Sequence, residues 1–512
     1  MSIHWGRLGC IFVAMLLGLW LTGALGVWSF VKYYRGFSEV RYVDLLWPGN
    51  WSRYRTSEGD YYIAQAGDLL RTGETTAAMF RLRTGVGKSP ANLNGRTLLA
   101  RLYLAYRRPD LARDLLLDGL RYAPADPDYL RTTLGFLLEF QEDARLLEVA
   151  DRLLVDAGAA DPACRSIAAI YAATAAYHRG NFDRAEDLIN QHRVRETMDG
   201  ITLLARIEWE RGYPELALLR LQDDLASHPD HDSARALQVG YYRALGRTSE
   251  WESAIIERLA GDPLAAAPRI EYLYLHHQRG DATRVEREIE AYLSQFQHDP
   301  DSLLLLADFA ANTGRPALAR RVQQAFPSHK GDSGAPALMV AESHIVAGEY
   351  QAGLDLIAGY ARQYPEWTNQ FASVCNGLQA VALYGLGKRD EARLHLDHLL
   401  AQKNLRAENL VAVSNRLTAL GARDLALATL NCAVEADPLN QAALTSLIRL
   451  ELDTDTLAAL PVHLDRFIKT HQPAQELLAR AYTTMGSDRL LFQPGQAALL
   501  ATLRIALTTR RP

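Results

Sequence analysis

The chain is poor in cysteine, poor in lysine and without a strong excess of either charge. Four cysteines in 512 residues, Cys10, Cys164, Cys375 and Cys432, are too few and too scattered for a disulfide framework or a zinc ribbon. Lys and Arg total 55 against 60 Asp and Glu, for a net charge of −5. That is too mild for an acidic tail and has the wrong sign for a phosphate-neutralising surface, so nucleic acid is not an expected partner. Hydrophobic residues make up 48% of the chain, which excludes wholesale disorder. Strand-like alternation is missing as well. Beyond the N-terminal region apolar residues recur at three- and four-residue spacing, as in Leu111–Leu120 and Leu394–Leu400, and the fold class reads as all-α.

One stretch lacks charge altogether. From Leu8 to Val31 there are 24 residues without Asp, Glu, Lys, Arg or His. At a rise of about 1.5 Å per residue they span about 36 Å, enough to cross a hydrocarbon core with some tilt. Trp20, Trp28, Phe30, Tyr33 and Tyr34 crowd the C-terminal half and exit, as an interfacial belt would. A cleaved signal peptide is the rival, with Ala24 and Gly26 as small residues at the cut; its apolar core would be shorter than this run. The expectation is therefore an uncleaved single-pass helix over 8–31, with a tail over 1–7 and an aromatic and basic tether over 32–58. Lys32, Arg35 and Arg41 follow the segment and only Arg7 precedes it, which leans the C-terminal part toward the cytoplasm.

The rest of the chain repeats. Gly212, Gly246, Gly280, Gly314 and Gly348 fall at 34-residue intervals, and Gly387 and Gly421 share that interval. Gly73 starts the series, with Arg107 and Gln141 taking the place in the next two units and Gly180 resuming it. Small residues recur seven places before the glycine (Ala66, Ala100, Ala173, Ala205, Ala307, Ala341, Ala380). Others recur five places after it (Ala78, Ala112, Ala185, Ala217, Ala319, Ala392, Ala426), while Leu146, Trp251, Val285 and Leu460 break that second ladder. A glycine between two helices lets the chain reverse, and small residues on both arms let the helices approach closely. Pro90, Pro124, Pro229, Pro365 and Pro438 stand 17 places after the tip, where proline ends the second helix.

This pattern resembles the tetratricopeptide repeat family over about residues 59–490, in about thirteen units. The resemblance implies an α-solenoid, a right-handed superhelix of helical hairpins stabilised between neighbours. The residues from Leu499 onward read as a final amphipathic helix, so a capping helix is expected over 491–512. The resemblance also implies a non-enzymatic scaffold whose first helices line a concave face where a protein or peptide docks. Residues six, three and two places before each tip should point there. They include Arg206, Trp209, Glu210, Arg243, Tyr274, His277, Asp308, Asn312, Glu342, Tyr384 and Asn415. None of the six lysines falls at these places, against the Lys–Asn pattern that clamps chaperone tails. The abundance of Arg over Lys and the single N-terminal anchor suggest a bacterial inner-membrane protein, and the resemblance to one-helix members of the family implies a role in envelope assembly. The paired CxxC tail of the lipopolysaccharide-regulating subgroup and the HExxH of repeat-bearing metalloproteases are both missing.

Three strings suggest chemistry. Gly331-Asp332-Ser333-Gly334-Ala335-Pro336 resembles a serine-protease nucleophile segment, but lies between helical repeats and reads as a turn. Thr84-Gly85-Val86-Gly87-Lys88-Ser89 resembles the end of a phosphate-binding loop, with Leu82 where that motif needs glycine. Nucleotide is therefore not expected. Glu391, His395 and His398 share one helix face and could ligate a metal only with a further group, so the reading is a solvated flank with no cofactor and no metal.

Overall fold

The computed structural model describes residues 5–106, 108–122, 125–155, 161–326, 334–364, 371–402, 405–438, 440–470, 475–487 and 495–508. Among them are 28 α-helices and no β-strand. The chain divides into two compact units, Met1–Ala175 and Ala176–Pro512.

The first unit opens with α1, Trp5–Ser29, which continues as one π-helical turn over Phe30–Tyr34. From Phe12 to Tyr34 it is long and apolar enough to cross a membrane, and none of its most apolar window is buried. Within 32–58, expected as one tether, a short helix α2 (Tyr42–Leu46) is followed at Trp51 by the long helix α3 (Trp51–Arg71). Residues 40–51 fold back along α1. Three indole N–H groups secure them: Trp28 donates to the Val40 carbonyl at 3.0 Å, Trp20 to Leu46 at 2.9 Å and Trp51 to Leu45 at 3.1 Å. Tyr42 donates its hydroxyl to the Leu21 carbonyl at 2.9 Å, and Trp20 stacks on Trp51. Trp20 and Trp28, read from the sequence as part of an interfacial belt, thus also donate to main-chain carbonyls of the returning chain.

α3 pairs with α4 (Thr75–Lys88) as the first hairpin. The phosphate-loop look-alike lies inside α4, and its glycine serves packing. A Cβ on Gly85 would stand 2.8 Å from the Gly59 carbonyl, so the two helices touch backbone to backbone there. Further hairpins in this unit are Leu93–Ala105 with Pro109–Gly119, and Pro127–Glu139 with Asp143–Val155. Asn92 and Asp126 cap the starts of two first helices by accepting from Gly95 and Tyr129.

In the second unit paired helices run from Met198–Glu210 with Pro214–Ser227 to Gln441–Thr454 with Leu460–Thr470. The last helix, Gln496–Thr508, buries Leu499 and Leu503 in the same apolar cluster as Leu464 and Leu478. The tip rule holds in both units. All nine tip glycines from Gly73 to Gly421 have φ between +63° and +83°. At Gly212 this backbone lets the Tyr213 N–H reach the Glu208 carbonyl at 2.9 Å, closing the end of the helix.

Gln141 takes the same conformation without being glycine, with φ +57°. Gln141→Gly should therefore raise stability by about 0.5–1 kcal/mol, relief of left-handed strain outweighing the freer unfolded chain. Denaturant midpoints of the two proteins check this.

The alanine ladders are buried, and their exceptions come in pairs. Where Leu146, Trp251, Val285 and Leu460 replace the small residue after the tip, the residue seven before it is also large: Leu134, Val239, Leu273 and Ile448. These units close their seam with two large side chains instead of two small ones. Pro90, Pro229 and Pro438 each follow a second helix within two residues of its end. Pro124 and Pro365 lie outside the described residues, as do Arg107, Gly331, Asp332 and Ser333.

Candidate partner-binding face

The expected lining residues of the second unit stand on successive first helices. Arg206, Trp209 and Glu210 lie on Met198–Glu210, Arg243 on Asp232–Ala244, and Tyr274 and His277 on Ala266–Gln278. Asp308 and Asn312 follow on Pro300–Asn312, Glu342 on Gly334–Val346, Tyr384 on Ala372–Gly385 and Asn415 on Ala407–Ala419.

Their neighbours divide them into three sets. Trp209 lies flat on Tyr241, ring centroids 4.0 Å apart, and Arg206 is exposed beside them with no ion pair among the described residues. Tyr274 meets Phe309 edge-on at 4.9 Å, and His277 lies against the same ring at 6.1 Å. Tyr241 and Phe309 are buried behind, which leaves the partly exposed Trp209 and Tyr274, the exposed His277 and the unpaired Arg206 guanidinium as the kind of groups a binding surface uses for anchors. Arg243 is less available, because both its hydrogen bonds go to Glu271, at 2.9 and 3.1 Å. Tyr384 carries the Arg389 guanidinium 5.8 Å over its ring, and Asn415 is exposed.

The third set joins helices far apart in sequence. Glu342 pairs with Arg416, 74 residues on, and the Arg416 charge also reaches Asp308. Glu210 accepts from the Tyr177 hydroxyl at 3.4 Å and is hydrogen-bonded by Gln441, from the first turn of Gln441–Thr454. The inner walls of this unit therefore approach each other closely enough for side chains to bridge them.

That concavity shows in the ionisation of the lining. Burial raises the Glu210 carboxyl above the usual range, against the hydrogen bonds from Gln441 and Tyr177 that lower it. The surrounding walls raise Asp308 likewise, although solvent still reaches its side chain. Burial pushes the Tyr274 hydroxyl up and, with Arg315 nearby, the His277 ring down. A carboxyl raised in the fold costs stability as pH climbs through its folded pKa, because the unfolded chain ionises more readily. Glu210→Gln keeps an acceptor oxygen but removes that charge. It should melt higher than wild type at pH 7–8, with the advantage vanishing toward pH 4; equal melting curves at both ends would contradict a desolvated Glu210.

Tyr177, Tyr241, Arg416 and Gln441 also belong to this face and were not among the expected residues. Tyr177 sits three places before Gly180 and obeys the register rule. Tyr241 and Arg416 sit five places before their tips, a position the rule omits. Nothing near Gln441 in the sequence marks it.

The residues read as chemically suggestive have other uses. Lys88 binds the buried Glu58 carboxylate at 2.5 Å. Glu391 pairs with Lys388 at 3.6 Å, while His395 turns its Nδ1 to Asn376 at 3.2 Å. Among the described residues no group of three His, Cys, Asp or Glu is placed to hold a metal ion.

Residues 69–132 match the tetratricopeptide repeat family pattern. The fold is a tetratricopeptide-type α-solenoid. Solved structures similar to the chain include that of an APC/C hetero-tetramer, Cut9-Hcn1, at 12% identity and TM-score 0.26, covering 87% of this chain and 96% of that one. Naa15/Naa10 bound to HypK-THB is similar at 14% identity and TM-score 0.27, over 96% of this chain and 80% of that one. A tetratricopeptide repeat protein from Parabacteroides merdae is similar at 13% identity and TM-score 0.33, over 56% of this chain and 98% of that one. Identities and scores this low transfer neither partner nor pathway. No curated protein sequence matches the chain. The chain is thus a helical-repeat scaffold of a type that mediates protein interactions.

Proposed function

We propose that the chain is a membrane-anchored tetratricopeptide adaptor, without catalytic activity of its own, that holds a protein or peptide partner along the first helices of its second unit. The observation that carries this reading is the exposed Arg206 beside the Trp209–Tyr241 stack, with Tyr274 and His277 on Phe309 two helices further on. Arg243, Glu342, Tyr384 and Asn415 extend the surface. The partner is an extended or helical segment offering carboxylates to Arg206 and apolar side chains to the rings. The setting is the bacterial inner membrane, in envelope assembly or its regulation.

The fold-back of residues 40–51 supports an anchor that stays attached. Cleavage after Ala24 or Gly26 would remove the Trp20 donor and the Leu21 acceptor that hold it. Intact mass should therefore find Met1 or Ser2 at the N-terminus. Protease access to a C-terminal tag in spheroplasts decides the side, with the charge balance predicting protection.

A photo-crosslinking residue at Arg206 or His277 should yield a discrete adduct in cells. One at Leu219, exposed on the second helix of the same hairpin, should not. Equal adducts from all three positions, or none, would overturn the inner-face reading.

A further inference from the structure

The fold-back of the first unit leaves an open groove that its own residues do not fill. Its volume is about 880 Å³, within the range of ligand pockets of roughly 300–1,000 Å³. One wall is α1, which contributes Leu16, Leu19, Gly23 and Val27 over about 17 Å of helix. Leu45, Trp51 and Tyr54 form the other wall.

One end is charged. Arg55, Glu58 and Lys88 close the groove there, and Arg35 reaches the same Glu58 carboxylate at 3.2 Å. The polarity follows from two contacts. Trp51 stacks on Trp20, in the middle of the apolar run, whereas Glu58 binds Arg35, just past its exit. The apolar part of the groove therefore lies at hydrocarbon depth if α1 crosses a membrane, and the charged part lies at the headgroup level.

Charge decides the occupant. Three cations, Arg35, Arg55 and Lys88, surround the single carboxylate Glu58, which is buried and shared by Arg35 and Lys88. The other nearby acid, Asp60, is held by Ser89 and Asn92 at 2.7 Å each. Arg55 is exposed and makes no ion pair among the described residues. A zwitterionic headgroup would bring a further cation to this cluster, and an uncharged one would leave Arg55 unpaired. A phosphate diester carrying net negative charge suits both the excess charge and the forked donors of arginine.

We propose that this groove binds one anionic phospholipid, an acyl chain lying between α1 and the Leu45–Tyr54 wall and the phosphate on Arg55 and Lys88. The inference rests on the membrane-anchored reading. Such a lipid would act as a wedge that fixes the angle between the anchor and the first hairpin, because it touches α1, α3 and α4 together.

The test uses the full chain in mild detergent, with phosphatidylglycerol or phosphatidylcholine added and bound lipid counted by native mass spectrometry. Wild type should keep one phosphatidylglycerol at concentrations where phosphatidylcholine is lost. Arg55→Gln should abolish the preference, at least about tenfold in retained phosphatidylglycerol, since a charge-assisted bidentate contact supplies about that factor. Gly23→Leu should displace both lipids, because a Cβ there meets nothing within 4 Å and the longer side chain enters the groove. Unchanged melting of the repeats shows that both variants fold. Equal retention of the two lipids by wild type, or undiminished phosphatidylglycerol on both variants, would overturn the proposal. A carbonate wash of membranes separates the two levels. Release of wild type refutes the anchor and the lipid site together, whereas a retained chain without lipid preference refutes the lipid site alone.

Discussion

Gly119→Ala should cost about 3 kcal/mol, far more than one methyl group ordinarily does. Gly119 ends the helix Pro109–Gly119, and a Cβ there would stand 2.0 Å from the Tyr129 hydroxyl oxygen and 2.6 Å from its Cζ. Tyr129 cannot swing aside. It is buried in the next hairpin, with its hydroxyl donating to the Leu116 carbonyl at 2.9 Å. The variant must either lose that hydrogen bond and leave a buried carbonyl unpaired, or separate the two helices. Overpacking of about 1–3 kcal/mol and a lost hydrogen bond of about 1 kcal/mol both count. Chemical denaturation measures the loss, and Tyr129→Leu in the Gly119→Ala background should recover part of it. A single-variant cost below about 1 kcal/mol would mean that this junction is looser than the contact implies.

Arg416→Glu should be comparably harmful, for an electrostatic reason. Arg416 and Glu342 have side chains 25% and 19% exposed, and the Arg416 charge also favours ionised Asp308. Reversal would leave three carboxylates facing one another in a concave interior. Removing one partner of a fully buried ion pair costs about 3–5 kcal/mol, and partial exposure here brings the expectation to about 2–3 kcal/mol. Arg416→Gln should cost less than half of that. The pH dependence gives the diagnosis. The loss should shrink at low pH, where the raised Asp308 carboxyl gives up its charge, whereas a packing defect would persist.

The hairpins were legible in the sequence because their causes are local. A helix tip needs φ > 0 and a tight seam needs two small residues, so Gly212, Ala205 and Ala217 could be placed without coordinates. Even the irregular units obey a local rule, visible once Val239 is read together with Trp251. The lining registers are likewise local expectations, since six, three and two places before a tip are fixed relative to it by helix geometry. The pairs Arg416–Glu342 and Glu210–Gln441 were not. Each depends on curvature accumulated over several hairpins, and no window of sequence contains both partners. The fold-back of residues 40–51 was hidden for another reason. Tryptophans at a membrane segment carry the same composition whether they sit at an interface or donate to a neighbouring main chain.

The bridges across the second unit also have a mechanical consequence. A stack of hairpins lengthens under tension by small rotations at each junction, as a spring does. With Glu342 tied to Arg416, and Glu210 tied to Gln441, the intervening junctions cannot rotate freely until those ties part. Pulled from its ends, this unit should resist at first and then yield in steps, the compliant spring appearing only after its latches open. An array built this way would transmit small loads rigidly along its length and absorb large ones.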